Sequence, residues 1–181
     1  ELPHFQALPG GLGPQHRGTI EIAPSIDYLE AAAADAAAGR FSSSPFMEVF
    51  IQSASDPTLA PPGRHVLSAF TQYAPASGWS SHDALHSVVG TLARYAHNVP
   101  DAVLASQVFG PPELEERFGL SGGDIFHGAM LPEQSFGSRF AYRTPVPGLY
   151  LCGSGASPGG GVMGAAGRNA AATVLADLRR R

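Results

Sequence analysis

Residues 148–170 have the side-chain types and the spacing of a segment that binds a phosphate or an electron-rich ring. They read GLYLCGSGASPGGGVMGAAGRNA, an apolar run followed by a glycine-rich turn and a predicted helix. Glycine lets backbone N–H groups approach a ligand without interference from side chains. The amino end of a helix adds unpaired N–H donors and the positive end of the helix dipole. The segment therefore predicts a ligand contact made mainly by backbone atoms.

The spacing of Gly159, Gly161 and Gly164 satisfies the dinucleotide pattern G-x-G-x-x-G. The complete fingerprint also needs a second strand, with an acidic residue about 20 positions later that binds the ribose. The few residues after Gly164 are instead predicted to be helical and end in three arginines. We therefore expect a second contact to a cofactor that is held mainly elsewhere. The alternative is a turn that only lets the helix pack closely on a sheet.

A histidine can exchange a proton near neutral pH, and His127, in Phe126-His127-Gly128, lies in a predicted loop where it could do so. The alternative is a loop histidine that only bonds the backbone. His82 and His86 have the i, i+4 spacing of metal ligands, but HExxH is absent and we predict no metal site. Three further side chains could line a cleft or lie at a domain contact, with structural or solvent-exposed roles as the alternative: Arg139, Tyr142 and Arg143.

The composition excludes several functions. The 181-residue chain has a net charge of −4, which argues against a nucleic-acid partner. Its 11 cationic residues are all arginine, so no lysine is present to form a Schiff base. Cys152 is the sole cysteine, which excludes an internal disulfide and favours a reducing compartment, the cytoplasm. No apolar run approaches the roughly 18 residues of a membrane-spanning helix.

The positioning elements follow from periodicity and capping residues. Ser25 and Ser80 are predicted N-caps of helices over 26–38 and 81–97. A short helix is predicted from Pro112 to Gly119, and the last helix over 161–178. Residues 121–147 are expected to be rich in loops. Strands are predicted over 19–23, 46–51, 65–73, 102–109 and 149–152. The strands over 46–51 and 65–73 are expected to pair as an antiparallel ribbon. The strand over 149–152 is expected to be buried, with Cys152 as an inert apolar residue.

Four ordered stretches resemble one enzyme family. Residues 148–170 are similar to the closing FAD segment of phytoene-desaturase-like flavoproteins. Residues 56–63 (DPTLAPPG), 70–73 (FTQY) and 123–130 (GDIFHGAM) resemble further parts of such proteins. The resemblance covers nearly the whole chain from about residue 19. The chain therefore resembles the C-terminal part of an FAD-dependent oxidoreductase of the phytoene-desaturase and amine-oxidase type.

The resemblance implies an α+β fold with a mixed sheet and flanking helices. Residues 1–144 would be a portion of the substrate-binding domain of a two-domain flavoprotein. Residues 145–181 would be the terminal strand, turn and helix of its FAD-binding domain. The family's N-terminal fingerprint is absent from this sequence, so we expect a chain without its front half that by itself holds no FAD tightly.

The resemblance also implies roles for particular residues. Gly153 and Ser154 would lie near the ribityl-diphosphate part of FAD, although many relatives have an acidic residue where Ser154 stands. Gly161, Val162 and Met163 would place backbone groups beside the isoalloxazine ring, and Gly160 is a further expected cofactor contact. His127 falls in a stretch that resembles one running near the flavin in relatives, and this resemblance makes it the candidate for proton handling.

The implied function is oxidation or dehydrogenation of an apolar or amine-like organic substrate by hydride transfer to FAD. The expected partners are that small molecule, the missing N-terminal FAD-binding region, and a second copy of the chain in a homodimer. The alternative is a non-catalytic interaction or dimerisation module that lacks the N-terminal FAD-binding unit. A flavin absorption band would favour the first hypothesis, and a colourless stable oligomer the second.

Overall fold

The computed structural model describes residues 1–6, 8, 10–129, 131–135 and 138–180. It is of the predicted α+β class, with a three-stranded antiparallel sheet and helices. The chain divides into two compact units, Glu1–Glu113 and Leu114–Arg181. Among the described residues, no helix is long and apolar enough to cross a membrane.

The sheet of the first unit follows the alternating pattern of its strands. β1 (Ile20–Ile22), β2 (Phe46–Phe50) and β3 (Ser68–Gln72) pair antiparallel in that order. In β2, Met47 and Val49 are fully buried, whereas the alternate residues Phe46, Glu48 and Phe50 are partly exposed. This period of two places one face of the sheet on the core. The predicted antiparallel ribbon is confirmed, with β1 added on the other side of β2.

Serine caps fix the starts of the two long helices of this unit. α1 (Ile26–Ala37) begins where the Oγ of Ser25 accepts the N–H of Tyr28 at 3.2 Å. α2 (Ser81–Ala93) begins where the Oγ of Ser80 accepts the N–H of Asp83 at 3.1 Å. Both predicted caps are confirmed, because the donor lies within three residues of the cap. The short helix α3 spans Val99–Ala102.

The core of the first unit lies between the sheet and α2. Its buried members come from β1, β2, the end of α2, the turn after α2 and the start of α3: Ile22, Met47, Val49, Leu92, Ala96 and Val99. Tyr28 of α1 packs on this cluster and donates its hydroxyl to the carbonyl of Pro45 at 3.0 Å. Helix α1 is thus joined to the loop that leads into β2.

Two helices lie further along the chain. α4 (Pro111–Phe118) ends at Gly119, whose φ of 69° is left-handed, in agreement with the predicted stop. α5 (Ala165–Leu178) forms most of the predicted last helix, but it begins only after the glycines. The described residues between these two helices are loops, turns and short 3₁₀ segments, as predicted.

The strand predicted over 102–109 is wrong. Ala102 ends α3, and residues 103–109 have no ladder partner among the described residues. Val103 and Leu104 are exposed. The residue types are those of a strand, but a strand also needs a neighbour to satisfy its backbone, and local sequence does not supply one.

The buried strand predicted over 149–152 is also wrong. Tyr150 makes a single antiparallel bridge with Arg143, and Leu149 and Leu151 are exposed. Cys152 is exposed, so the predicted burial of this residue is wrong as well, and its inertness stays a prediction. A strand buried on both faces needs cover on both sides, and the described residues of this chain provide little of it.

Trp79 packs against a glycine that has no room for a side chain. Its indole Nε1 donates to the carbonyl of Pro75 at 2.7 Å, and its ring lies 5.2 Å from that of Phe41, centroid to centroid. A Cβ on Gly110 would lie 2.3 Å from Cη2 of Trp79. The indole is held on its other sides, so it has little freedom to move away.

Gly110→Ala should therefore destabilise the chain by about 1–3 kcal/mol through overpacking. The matched control is Gly90→Ala, in the interior of α2, where a Cβ meets nothing within 4 Å. That variant should stabilise the chain by about 0.5–1 kcal/mol through helix propensity. Urea unfolding of the three proteins measures both effects. An unchanged midpoint for Gly110→Ala would mean that the indole moves aside at no cost.

Candidate functional site

The turn from Gly153 to Gly164, here called the glycine turn, closes on its own backbone. The N–H of Ala156 donates to the carbonyl of Gly153 at 3.1 Å, and the N–H of Gly159 donates to that of Ala156 at 2.8 Å. Gly153, Gly159 and Gly164 have φ values of 84°, 110° and 64°. Most side chains are strained at such angles. The shape of the turn therefore depends on glycine at these three positions.

Helix α5 begins directly after the glycine turn. Its N-cap is Gly164, and no side chain caps this end. The first N–H groups of a helix have no partner within the helix, and the dipole places a partial positive charge on them. This is the backbone arrangement that the sequence predicts for a ligand contact, and the contact itself stays a prediction.

The structure brings Ser154 and Gly160, two of the six predicted cofactor residues, close together. A Cβ on Gly160 would lie 3.1 Å from the Oγ of Ser154, so glycine leaves room for that hydroxyl. A Cβ on Gly161 would lie 3.5 Å from Met163, an ordinary contact. Val162 and Met163 are exposed. The turn thus presents backbone and two apolar side chains at its surface.

Asp124 organises the loop that contains His127. Its carboxylate accepts the N–H of Phe126 at 2.8 Å and that of Gly128 at 2.5 Å. Between them, His127 has a φ of 56°, in a region that is uncommon for residues other than glycine. The residue is exposed, so its imidazole is accessible, as proton handling requires. Met130, the last residue of the stretch 123–130, lies outside the described residues.

Arg139 joins the His127 loop to the glycine turn. Its Nη1 donates to the carbonyl oxygen of Ser154 at 3.0 Å and to that of His127 at 3.4 Å. A Cβ on Gly155 would lie 4.0 Å from the Cβ of His127. The predicted proton-handling residue and the start of the predicted cofactor segment are therefore neighbours in the second unit.

Sequence reasoning missed the roles of Asp124 and Arg139. An aspartate followed by loop residues and a glycine is a signal for a side chain that bonds nearby backbone, and Asp124 fits it. No comparable signal exists for Arg139, because its acceptors are backbone carbonyls 12 and 15 residues away. Residue type does not mark such an acceptor.

Polar side chains attach α5 to the segment before the turn. Tyr142 donates its hydroxyl to the carbonyl of Ser157 at 2.6 Å and accepts from Asn169 at 3.1 Å. Arg143 bonds both carboxylate oxygens of Asp177 at 2.8 Å, and the hydroxyl of Tyr150 lies 3.0 Å from one of them. Hydrogen bonds from Arg143 and then from Tyr150 lower the pKa of Asp177 to about 2.

The second unit exposes most of its large apolar side chains. Its buried hydrophobic residues, within the described part, are three alanines: Ala156, Ala166 and Ala170. In α5, Ala166 and Ala170 are buried and Asn169 and Asp177 bond the rest of the unit, while Leu175 and Leu178 are exposed. Further exposed apolar residues include Phe118, Phe126, Phe140, Leu149, Val162 and Met163. Such a surface is typical of one that binds another molecule or segment.

Other features of the chain do not coincide with the predicted site residues. A cavity of about 180 Å³ lies beside β1 in the first unit, lined by Phe5, Tyr95 and residues 20–24. In the part of the chain that the structure describes, no three His, Cys, Asp or Glu side chains cluster as metal ligands would. His82 pairs weakly with Asp83, at 3.7 Å on the surface.

The chain is similar to proteins that are named as oxidoreductases. It is 46% identical, over 98% of its length, to pyridine nucleotide-disulfide oxidoreductase domain-containing protein 2 of Mus musculus. It is 32% identical over 68% of its length to one of the subunits of limonene dehydrogenase from Castellaniella defragrans. It is 43% identical over 39% of its length to hydroxyneurosporene desaturase of Cereibacter sphaeroides. No protein-family model matches the chain.

These similarities confirm the resemblance predicted from the four stretches. The match to the mouse protein covers 34% of that protein, so the chain spans about a third of the length of this relative. The matches to the limonene dehydrogenase and to the desaturase cover 25% and 15% of those proteins. The chain is thus similar to a portion of the sequence of several proteins that are named as oxidoreductases or as a desaturase.

The bond network of Asp177 predicts a dependence of stability on pH. Its folded pKa of about 2 lies below the ordinary value of 3.8. Its contribution to stability is therefore fully present above about pH 4 and is lost as the pH falls towards 2. Asp177→Asn cannot titrate, so its melting temperature should fall less than that of the wild type over this range. Circular-dichroism melts at several pH values measure this, and parallel curves would contradict it.

Proposed function

We propose that the chain forms the substrate-binding part and the closing FAD segment of an FAD-dependent oxidoreductase, with 1–144 and 145–181 as the respective portions. The compact units divide earlier, after Glu113, so this assignment of domains is part of the proposal. The observation that carries it is the uncapped start of α5 behind a glycine turn, with the exposed His127 beside that turn. The names of the relatives support oxidoreductase chemistry.

The residues present fit FAD. Side chains at the turn would fill the space in front of its backbone, and glycine leaves that space open at Gly160 and Gly161. The hydroxyl of Ser154 lies close to Gly160 and is partly exposed. It can donate to a phosphate or a ribityl hydroxyl, although it lacks the charge of the acidic residue that stands there in many members of the family.

When bound, FAD supplies the acceptor for a hydride taken from a carbon of the substrate. The first N–H groups of α5 and the backbone of residues 160–163 would stabilise negative charge on the ligand, because they are fixed before the reaction. The exposed side chains of Val162 and Met163 would contact an apolar or amine-like substrate and exclude water. His127 would accept, at a ring nitrogen, the proton that leaves the substrate in the same oxidation.

The same proposal assigns a partner to the exposed apolar surface of the second unit. The mouse relative is about three times as long as the matched region, and an N-terminal FAD-binding region would cover Leu175, Leu178 and their neighbours. Burial of apolar area of this kind drives association of domains. A second copy of the chain is the alternative occupant.

That exposed surface also favours a second candidate function, a non-catalytic interaction or dimerisation module. The two hypotheses differ in a simple observation on the longer protein. A flavin absorption band at one equivalent per chain would support the oxidoreductase. A colourless and stable oligomer would support the module and contradict the first proposal.

Gly161→Leu should abolish incorporation of FAD into the longer protein. Gly161 would admit the cofactor because it lacks a side chain, and the chain itself tolerates a Cβ there. The loss should therefore occur without unfolding. Flavin content is measured by absorbance after denaturation, and folding by circular dichroism.

Gly18→Leu is the matched control for that variant. Gly18 is exposed, and a Cβ there meets nothing within 4 Å. This protein should retain wild-type flavin content. A normal flavin content in Gly161→Leu would remove the glycine turn from the cofactor site.

His127→Asn should retain FAD but slow the anaerobic reduction of the flavin by substrate about 100-fold, if the imidazole is a general base. Asparagine is chosen because it tolerates the left-handed φ of this position better than alanine. Apolar polyenes and secondary amines are the substrate classes to screen by stopped-flow absorbance. A change of only a few fold would assign His127 to structure, and loss of flavin would assign it to cofactor binding.

A further inference from the structure

The side chain of Arg139 is positioned by contacts with residues that are distant from it in the sequence. Its side chain passes over Gly159, where a Cβ would lie 3.1 Å from the Nε of the arginine. A side chain at 159 would displace the guanidinium, and Gly159 also has a φ of 110°. The position of the arginine therefore depends on glycine at 159.

The guanidinium links two loops that are each closed by other bonds. The His127 loop closes on the carboxylate of Asp124, and the glycine turn closes on backbone bonds such as that of Ala156 to Gly153. Only the carbonyls of His127 and Ser154 accept from the Nη1 of Arg139 in the described structure. A guanidinium is always charged and its donors are fixed in one plane, so it holds two acceptors in a defined relation.

Among its described residues, the second unit has few buried apolar side chains, and this makes the link through Arg139 more important than it would be in a unit with a large core. Its described buried hydrophobic residues are three alanines, so little apolar packing holds one loop against the other. The hydrogen bond to Ser154 is partly buried and comes from a charged donor, so it is stronger than a bond between neutral groups, whereas the bond to His127 is exposed and longer. Among the described residues, no carboxylate forms an ion pair with Arg139, and its positive charge remains beside the turn.

We propose that Arg139 is a positioning residue that sets the distance between His127 and the glycine turn and thereby prepares the turn for an electron-rich ligand. The proposal rests on the function proposed above, since it takes the turn as a cofactor site. It adds a residue that contacts neither the cofactor nor the substrate and acts through Ser154, Gly159 and His127. Without the link, ligand binding would also have to order the two loops, which costs affinity.

The first experiment uses the 181-residue chain without any cofactor. Arg139→Met keeps the length of the side chain and removes its donors and charge. The amide hydrogens of Gly128 and Ala156, one in each loop, should exchange with deuterium about 10-fold faster in this variant than in the wild type. Arg143→Met, which removes the other arginine of the same segment, bonded to Asp177, should leave these two amides unchanged. Equal exchange in wild type and Arg139→Met would overturn the proposal.

The second experiment measures the dissociation constant of FAD in the longer protein. Arg139→Met should raise it about 10-fold or more, the effect of losing charged hydrogen bonds. Arg139→Lys should give a smaller increase, because an ammonium retains the charge without the planar fork. Added methylguanidinium should restore affinity to Arg139→Met alone, an outcome that general loss of stability would not produce. An FAD affinity within about twofold of wild type, or an affinity that methylguanidinium does not restore, would overturn the proposal.

The two experiments separate this proposal from the proposed function. If the wild-type longer protein binds no FAD, the proposed function fails, and the exchange measurement still decides whether Arg139 couples the loops. If the wild type binds FAD and Arg139→Met binds it equally well, the function stands and the role of Arg139 fails. If Arg139→Met does not fold, Arg139→Lys with the same two measurements decides.

Discussion

The guanidinium of Arg139 donates hydrogen bonds to two backbone carbonyls, and the shape of the candidate site depends on these two bonds. On one side lies His127, held at a left-handed φ by the bonds of Asp124 to its neighbours. On the other lies a turn whose path requires glycine at three positions. Neither loop is held by a large buried side chain among the described residues, so directional polar bonds determine where they lie.

The two compact units therefore differ in what stabilises them. In the first, Met47 and Val49 are fully buried under two capped helices, and apolar burial is the main stabilising term. In the second, α5 is attached through Asn169 and Asp177, which bond tyrosine and arginine side chains. Exposed polar links of this kind contribute less than a core does. The second unit thus depends more on polar bonds, and less on apolar burial, than the first unit does.

Sequence reasoning succeeded where the determining contacts are local. The caps at Ser25 and Ser80 and the stop at Gly119 depend on neighbours within four residues, and the alternation in β2 reports its own buried face. It failed where the determinant lies elsewhere in space. Residues 102–109 and 149–152 have strand-like side chains, but a ladder needs a partner strand that residue type does not reveal. Cys152 was placed inside for the same reason.

The candidate site shows the same division. The glycine turn follows from the sequence of 153–164 alone, because consecutive glycines neither continue a helix nor supply a side chain to cap one, whereas α5 begins at Ala165 and not at the predicted residue 161. The role of Arg139 does not follow from the sequence, because its acceptors are backbone carbonyls, which every residue possesses. The proposed roles of Ser154 and of 160–163 came from family resemblance, and the structure adds the proximity of Ser154 to Gly160.

The exposed leucines of α5 have a thermodynamic consequence. Any association that covers Leu175 and Leu178 removes apolar surface from water and must lower the heat capacity of the system. Its enthalpy would then become more favourable as the temperature rises, and its affinity would weaken on cooling where the entropic part dominates. Were a second copy of the chain to cover these two leucines, the dimer would therefore dissociate more readily in cold samples than in warm ones.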